Sequence, residues 1–368
     1  MHLYVHVPFC ARRCSYCDFA IAVRREVPSA HFAGLIAKEW ADWQSHPAWI
    51  DAPALDTIYF GGGTPSRLDP AAIGSMLTRF ARDRTLTPGA EITLEANPDD
   101  VTLESAAAWR AAGVNRISLG AQSFDPAVLQ WMHRTHDREQ IAGAVRVLRS
   151  AGFDDLSLDL IYAVPAALGR DWSADLDRAL ALSPTHLSFY GLTVEPVTPL
   201  GKWTARGEAV ALDDEPAAAE FLMANARLVS AGFEHYEVSS AALPGHRARH
   251  NSAYWRRGPF IGLGPSAHSG FAGSRRWNLR NWEEYRQRAE AGEPVVAEEE
   301  MLDPAQIGLE DLYLGLRTSD GLPADRVPDR ELRRWIEAGW ARPGGARVVL
   351  TPEGWLRLDA LVASLSRC

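Results

Sequence analysis

Six short β-rich runs, each but the last followed by an amphipathic stretch, set the tightest limit on what this chain can fold into. The runs are Leu3–Val7, Thr57–Phe60, Glu91–Ala96, Arg116–Leu119, Asp155–Ile161 and His186–Leu192, and helical text is predicted near 29–46, 70–83, 103–112, 126–151 and 172–182 between them. Strands separated by helical crossovers cannot pair as tight hairpins, so they form parallel βαβ units. Six in succession predict a curved sheet or partial barrel, although periodicity alone leaves a doubly wound sheet open. In a barrel, the chemistry belongs at the carboxyl ends of the strands.

The repeat stops after residue 200. A helix is predicted near 214–231 and a strand near His235–Val238, followed by a Gly/Pro-rich passage from Pro244 to Gly273 that is expected to pack over the barrel mouth. From about 303 the text reads helix (304–316), helix (328–338), a hairpin from Trp340 to Leu350 turning at Gly344-Gly345, and a helix after Pro352. That order is winged-helix-like. The expected division is a core barrel over 1–200, a barrel extension over 201–302 and a smaller helical, winged unit over 303–368. There is no internal repeat or low-complexity tract.

Three of the four cysteines crowd into one loop, Cys10-Ala-Arg-Arg-Cys14-Ser-Tyr-Cys17, directly after the first strand and Pro8. An odd number of thiols so closely spaced cannot pair among themselves without strain and a leftover. They can instead face one metal centre. Thiolates suit iron-sulfur clusters and zinc alike, and a zinc site completed by His6 or Asp18 stays open at this point. Cys368, the remaining cysteine, is at the far end of the sequence. Three ligands on a four-iron cube would leave one iron free for a small molecule.

A chain of 368 residues can bury an ample core, so its stability does not depend on disulfides, and its cysteine usage points to a reducing compartment, the cytoplasm by default. No apolar run approaches the ~20 residues of a membrane span, and residues 1–30 lack a signal-peptide pattern. Peripheral membrane association is left open. A formal charge of -9 argues against nucleic acid as a partner, and pairs such as Arg275-Arg276 and Arg333-Arg334 read as solvated faces. The thirteen tryptophans read first as core.

The C-x3-C-x2-C spacing with an aromatic before the last cysteine resembles the signature of the radical S-adenosylmethionine (SAM) proteins. Tyr4-Val-His6-Val-Pro8-Phe9-Cys10 and Asp18-Phe19 after Cys17 narrow the resemblance to one branch of that superfamily. It contains the oxygen-independent coproporphyrinogen III dehydrogenases (HemN type) and their haem-chaperone relatives (HemW type). The dehydrogenase pattern carries a further cysteine two positions after the third, where this chain has Phe19, and that favours the chaperones. The resemblance implies a partial (β/α)6 TIM-like barrel, a 4Fe-4S cluster on Cys10, Cys14 and Cys17, and SAM on the open iron. It also implies that the C-terminal unit belongs to porphyrin-related architecture and is not a DNA reader.

Gly61-Gly-Gly-Thr-Pro-Ser66 directly follows the second strand. Successive glycines let a ligand approach the backbone closely. The run resembles the family's GGGTP motif, which meets the amino group and methionine part of SAM, and Gly62, Gly63 and Thr64 are the candidates. Glu95 and Gln122 end the third and fourth strands, where either could cap a helix or bond a loop. They match the family's SAM-binding glutamate and glutamine. Arg134, in Met132-His-Arg-Thr-His136, resembles the arginine of the family's G-R-x-H stretch, with His133 replacing the glycine. Its planar fork suits the SAM carboxylate. Asp159 interrupts an apolar strand, where an unpaired carboxylate is costly, and matches a SAM-binding aspartate; Ala163-Val-Pro165 after it departs from the usual Gly-Leu-Pro-Gly-Gln. Tyr4 and Tyr16 complete the SAM set that the resemblance implies, Tyr16 with Ser15 toward adenine.

The second specific match is His250-Asn251-Ser-Ala-Tyr254-Trp255. An imidazole can ligate haem iron, and flat aromatic side chains four and five residues on can cover a macrocycle. The run resembles the chaperones' H-N-x-x-Y-W motif, which implies haem binding by His250, Asn251, Tyr254 and Trp255. Gly262-Leu-Gly-Pro-Ser-Ala-His-Ser269 resembles a family glycine run, with Pro265 and Ser266 departing from it, and is expected only to shape the pocket.

The expected function is therefore a haem chaperone that binds haem and delivers it to acceptor haemoproteins such as respiratory enzymes. Its cluster would be reduced by a donor of the flavodoxin or ferredoxin kind. No catalytic residue is assigned, and monomer and dimer are both open. The rival expectations are oxidative decarboxylation of coproporphyrinogen III and another radical SAM reaction on a tetrapyrrole.

Overall fold

The computed structural model describes residues 1–49, 54–344 and 346–365, so the hairpin residue Gly345 and Cys368 lie outside the described residues. All six expected strands are present: β1 His2–Val7, β2 Ala54–Gly62, β3 Thr85–Ala96, β4 Arg116–Gln122, β5 Asp155–Tyr162 and β6 His186–Gly191. They pair in sequence order and in parallel. The crossovers carry α1 Ser29–Trp43, α2 Pro70–Asp83, α3 Leu103–Ala112, α4 Pro126–Trp131, α5 Arg138–Ser150 and α6 Trp172–Ala181.

Local chemistry sets most of these helix starts. Asp69, Thr102, Asp125, Asp137 and Asp171 each accept a hydrogen bond from a first-turn backbone N–H, and Pro70 and Pro126 open their helices without a donor to satisfy. Gly113 stops α3 at a φ of 108°. The stretch expected to be helical from 126 to 151 is two helices. His133 adopts a φ of 60° between them, and Asp137 with Gln140 then forms a new capping box.

The sheet does not end with the six strands. β7 Glu234–Glu237 and β8 Ser240–Ala242 continue it antiparallel beyond β6. On the opposite edge β9 Phe260–Leu263 pairs parallel with β1, followed by β10 His268–Phe271, β11 Ser274–Asn278 and β12 Val296–Met301 in antiparallel order. The Gly/Pro-rich passage expected merely to cover the barrel thus supplies strands to its sheet. Beyond it come a helix Pro304–Leu316, strand Leu322–Pro323, helix Asp329–Glu337, the hairpin Ala341–Gly344 and Arg347–Leu350, and helices Pro352–Trp355 and Leu358–Leu365. This is the expected winged order. Its core includes Leu316, Trp335, Val348, Trp355 and Leu361, and the Trp355 indole N–H donates to the Leu316 carbonyl at 3.0 Å.

Strand alternation divides the two faces sharply. Leu3, Val5, Ile58, Phe60, Leu94, Ile117, Leu119, Leu158 and Phe189 are buried in the main apolar core with Trp40, Trp109 and Trp172 from the helices. The tryptophans are mostly core, as expected. Intervening positions on the other face read Tyr4 and His6, Tyr59, Thr93 and Glu95, Arg116 and Ser118, Ser157 and Asp159, His186 and Ser188. The sheet curls this polar face onto itself, since Tyr59 on β2 is within electrostatic reach of Asp159 on β5 and Tyr190 on β6. Barrels filled by branched side chains leave no room inside. Here the inward face is polar and encloses cavities.

Candidate functional site

The cysteine loop leaves β1 through Pro8 and returns to pair with itself. The Ala22 N–H donates to the Pro8 carbonyl at 2.7 Å and the Arg24 N–H to the Cys10 carbonyl at 3.0 Å. Its middle is pinned twice, with the Ser15 N–H on the Met132 carbonyl at 3.3 Å and the Leu200 N–H on the Ser15 carbonyl at 2.8 Å. All three thiols border one cavity of about 470 Å³ at the carboxyl ends of the strands. Thr64 donates its hydroxyl to Cys10 Sγ at 3.4 Å, and Arg134 directs Nη1 at Cys14 Sγ at 3.6 Å. Burial pushes the Cys10 thiol up and the Cys17 thiol up to about 11. Among the described residues no three His, Cys, Asp or Glu side chains converge on a single ion. Three thiols along one cavity wall are the donor set that three corners of an iron-sulfur cube would take.

The glycine run is a tight backbone junction. A side chain at Gly63 would meet Pro8 and Val7 backbone atoms at 2.8–2.9 Å, and one at Gly62, where φ is 111°, would meet the His6 ring at 2.6 Å. Only glycine lets this turn lie against the end of β1. The Gly62 N–H donates to Glu95 Oε2 at 3.0 Å, and the Tyr59 hydroxyl donates to Glu95 Oε1 at 2.8 Å. Burial still pushes the Glu95 carboxyl up to about 7.

Tyr16, Gly62, Gly63, Thr64, Glu95, Gln122, Arg134 and Asp159 all border the thiol cavity. Arg134 is already engaged, with Nη2 on Asn97 Oδ1 at 2.6 Å and on the Gly120 carbonyl at 2.9 Å. Asp159 receives Ser118 Oγ at 3.0 Å on both carboxylate oxygens, and burial raises its pKa. Gln122 sits at a register shift with φ of 67°. Tyr4 does not border this cavity; its hydroxyl lies 3.1 Å from His6 Nδ1 and it faces a second, larger one.

That second cavity, about 1080 Å³, lies between the barrel mouth and the C-terminal helices. Asp18, Phe19, Gly62 and Glu95 border both cavities. Phe19, 58 % exposed, and Tyr254, Trp255, Phe260 and Tyr313 give the larger one aromatic walls. The expected haem residues separate here. Tyr254 and Trp255 border the larger cavity and Asn251 the thiol cavity, whereas His250 borders neither. His250 is 1 % exposed, with Nδ1 2.6 Å from Thr57 Oγ1 and Nε2 2.7 Å from the Tyr254 hydroxyl. Burial holds it well below its ordinary pKa, hence neutral. Glu91 anchors its helix, Arg249–Trp255, by accepting the Arg249 and His250 N–H groups at 2.8 and 3.0 Å.

The sequence reading passed over Asn97, Arg116, His186 and Ser188, which also border the thiol cavity. The signal for the last three was present as polar residues at alternate positions in apolar strands. It also passed over His268 as a side chain, having read its segment only as shaping.

Comparison with known proteins agrees with this architecture. A family model described as the radical SAM superfamily matches residues 4–172. The heme chaperone HemW of Mycobacterium tuberculosis is 37 % identical over 371 residues, covering 99 % of this chain and 94 % of that protein. The heme chaperone HemW of Synechocystis sp. is 35 % identical over 338 residues, covering 88 % of this chain and 80 % of its own. Among solved structures, coproporphyrinogen III oxidase (HemN) from Escherichia coli superposes with a TM-score of 0.80 at 21 % identity, over 99 % of this chain and 89 % of that one. At that identity the likeness is one of fold.

Proposed function

This chain belongs to the HemW heme-chaperone family within the radical SAM superfamily, and from that premise we propose that it binds haem beside a SAM-coordinated 4Fe-4S cluster and passes the haem to acceptor haemoproteins. The observation that carries the proposal is the pair of adjoining cavities. One is small, polar and edged by three thiols; the other is large, aromatic-walled and near the upper end of ligand-pocket size, roughly 300–1,000 Å³.

Cys10, Cys14 and Cys17 would hold the cluster, which when bound supplies an open iron for SAM and an electron for its cleavage. Arg134 and Thr64 orient two of the sulfurs and add positive character beside them. Gly62, Gly63 and Thr64 offer backbone to the methionine part of SAM, with Glu95, Gln122, Asp159 and Tyr16 around the remainder. Phe19, Tyr254 and Trp255 cover a macrocycle in the larger cavity. Arg280, exposed and among the described residues bonded only to the Asp18 carbonyl, is available to a propionate. Acceptors of the respiratory kind, a flavodoxin or ferredoxin donor and a cytoplasmic location complete the proposal. No helix among the described residues is long and apolar enough to cross a membrane.

The rival activity, decarboxylation of coproporphyrinogen III, is disfavoured by Phe19, which fills the position of the dehydrogenase pattern's extra cysteine. Anaerobically reconstituted protein is incubated in parallel with haem, and with coproporphyrinogen III, SAM and a reductant. A stable Soret band, haem transfer to an apo-haemoprotein and no protoporphyrinogen are expected. Protoporphyrinogen formation would replace the chaperone assignment with the dehydrogenase, and opened or alkylated haem would replace it with a third chemistry.

A further inference from the structure

The two histidines on the wall of the larger cavity, His6 and His268, differ in what their ring nitrogens do. His6 is 6 % exposed; Nε2 lies 2.9 Å from the Ala20 carbonyl and Nδ1 3.1 Å from the Tyr4 hydroxyl. His250 is sealed between Thr57 and Tyr254 behind that wall. His268 is exposed, and among the described residues neither of its nitrogens has a hydrogen-bond partner. We propose that His268, rather than His250, is the axial ligand to the iron of haem held in the larger cavity, with Arg280 receiving a propionate.

The proposal rests on the haem-binding reading above and specifies where the iron sits. The surrounding structure fixes the imidazole without using its nitrogens. The ring lies nearly parallel to the Trp277 indole, 26° between planes at 5.7 Å, across the β10–β11 pair. Its backbone is held against the glycine run: the Gly262 N–H donates to Ser269 Oγ at 2.9 Å, and a side chain at Gly262 would strike the His268 carbonyl oxygen at 2.1 Å. Gly262 is therefore required by the close approach that sets His268 at the cavity wall. Partial burial and the nearby Arg275 keep the imidazole below its ordinary pKa, which favours the neutral, ligating form. The cavity's other arginines are less free. Arg257 pairs with Asp311 and Glu310, and Arg275 with Glu300 and Glu310, whereas no carboxylate among the described residues pairs with Arg280.

The test is titration of ferric haem into full-length protein, read by Soret position, by the electron paramagnetic resonance of the iron, and by affinity. His268→Ala is expected to lose the histidine-ligated spectrum and bind at least about tenfold more weakly, with added imidazole restoring the spectrum. His250→Ala is expected to keep the wild-type spectrum while melting earlier, and Arg280→Ala to keep the ligation but weaken binding. Far-ultraviolet circular dichroism verifies that each variant is folded. A wild-type spectrum and affinity in His268→Ala would overturn the inference, as would loss of histidine ligation in folded His250→Ala alone, and both would leave haem binding standing. Failure of the wild-type protein to take up haem would overturn the haem-binding reading and this inference with it.

Discussion

His250 and Tyr254, one helical turn apart, close on each other: the imidazole Nε2 lies 2.7 Å from the phenol oxygen, and Thr57 takes the opposite ring nitrogen at 2.6 Å. The imidazole also stacks on Tyr59 at 5.1 Å. These contacts make it a keystone between β2 and the helix Arg249–Trp255. Replacing it opens a cavity and strands the Tyr254 hydroxyl, while Thr57 Oγ1 keeps His2 Nδ1 at 2.9 Å. His250→Ala is expected to cost about 2–4 kcal/mol in urea unfolding, and Tyr254→Phe about 1–2 kcal/mol. A double variant no worse than His250→Ala would verify that the two losses share one hydrogen bond. Fully additive losses would show that they do not.

Arg134 and Cys14 yield a second prediction. The guanidinium reaches Asn97, the Gly120 carbonyl and Cys14 Sγ together, a three-way geometry that a lysine ammonium on a flexible stem cannot reproduce. Cys14→Ala is expected to lose bound iron and sulfide while the circular dichroism stays that of the wild type, because ligation and core burial are separate contributions. Arg134→Lys is expected to retain less cluster and to lose about 1–3 kcal/mol of stability. Full iron and sulfide content in folded Cys14→Ala would remove the cluster assignment.

Most of the barrel was legible because each strand carries its own alternation. Arg116-Ile-Ser118-Leu announces a strand whose odd face is apolar, while the caps Asp69, Thr102 and Asp171 that start the following helices emerged only from the structure. Long-range arrangements were less legible. Nothing local in Phe260–Leu263 says that it pairs with β1 across more than two hundred residues. Nor does the His250 motif reveal that Thr57, on a distant strand, occupies its ring nitrogen.

The departures from the family's glycines were legible in text but not in consequence. His133 and Ala163 stand where the resemblance expects glycine, Ser266 interrupts its glycine run, and they adopt φ of 60°, 59° and 60°. The left-handed conformation survives the change of residue. Alanine has no side-chain polar group to ease that conformation, so it bears the strain directly. Ala163→Gly is expected to raise stability by up to about 1 kcal/mol, provided its N–H keeps the 2.6 Å bond to Glu220 Oε2. A lower urea midpoint in this variant would mean that the unfolded chain's gain in freedom outweighs the relieved strain.

Glu39 gives the clearest pH dependence. From α1, 5 % exposed, it accepts the Gly264 N–H at 2.8 Å, the Tyr285 hydroxyl at 2.6 Å and Asn278 Nδ2 at 2.6 Å, tying the helix to the glycine run beneath His268. Burial pushes the carboxyl from 4.5 up to about 7, against the three donors that pull it down. The folded protein therefore holds this proton more tightly than the unfolded chain. The associated stability is complete below about pH 4.5, declines as pH rises through 7, and amounts to about 3 kcal/mol across the window. Glu95, also near 7, adds a slope of the same sign, so the wild type alone cannot separate the two. Comparison with Glu39→Gln does. The variant is expected to be less stable at pH 5, where its amide NH2 replaces one of the two oxygens that accept the three donors, and to lose less stability than the wild type between pH 5 and 8. Urea midpoints measured at intervals across that range give the difference. Curves that stay parallel would mean that the three donors, not burial, control the Glu39 proton.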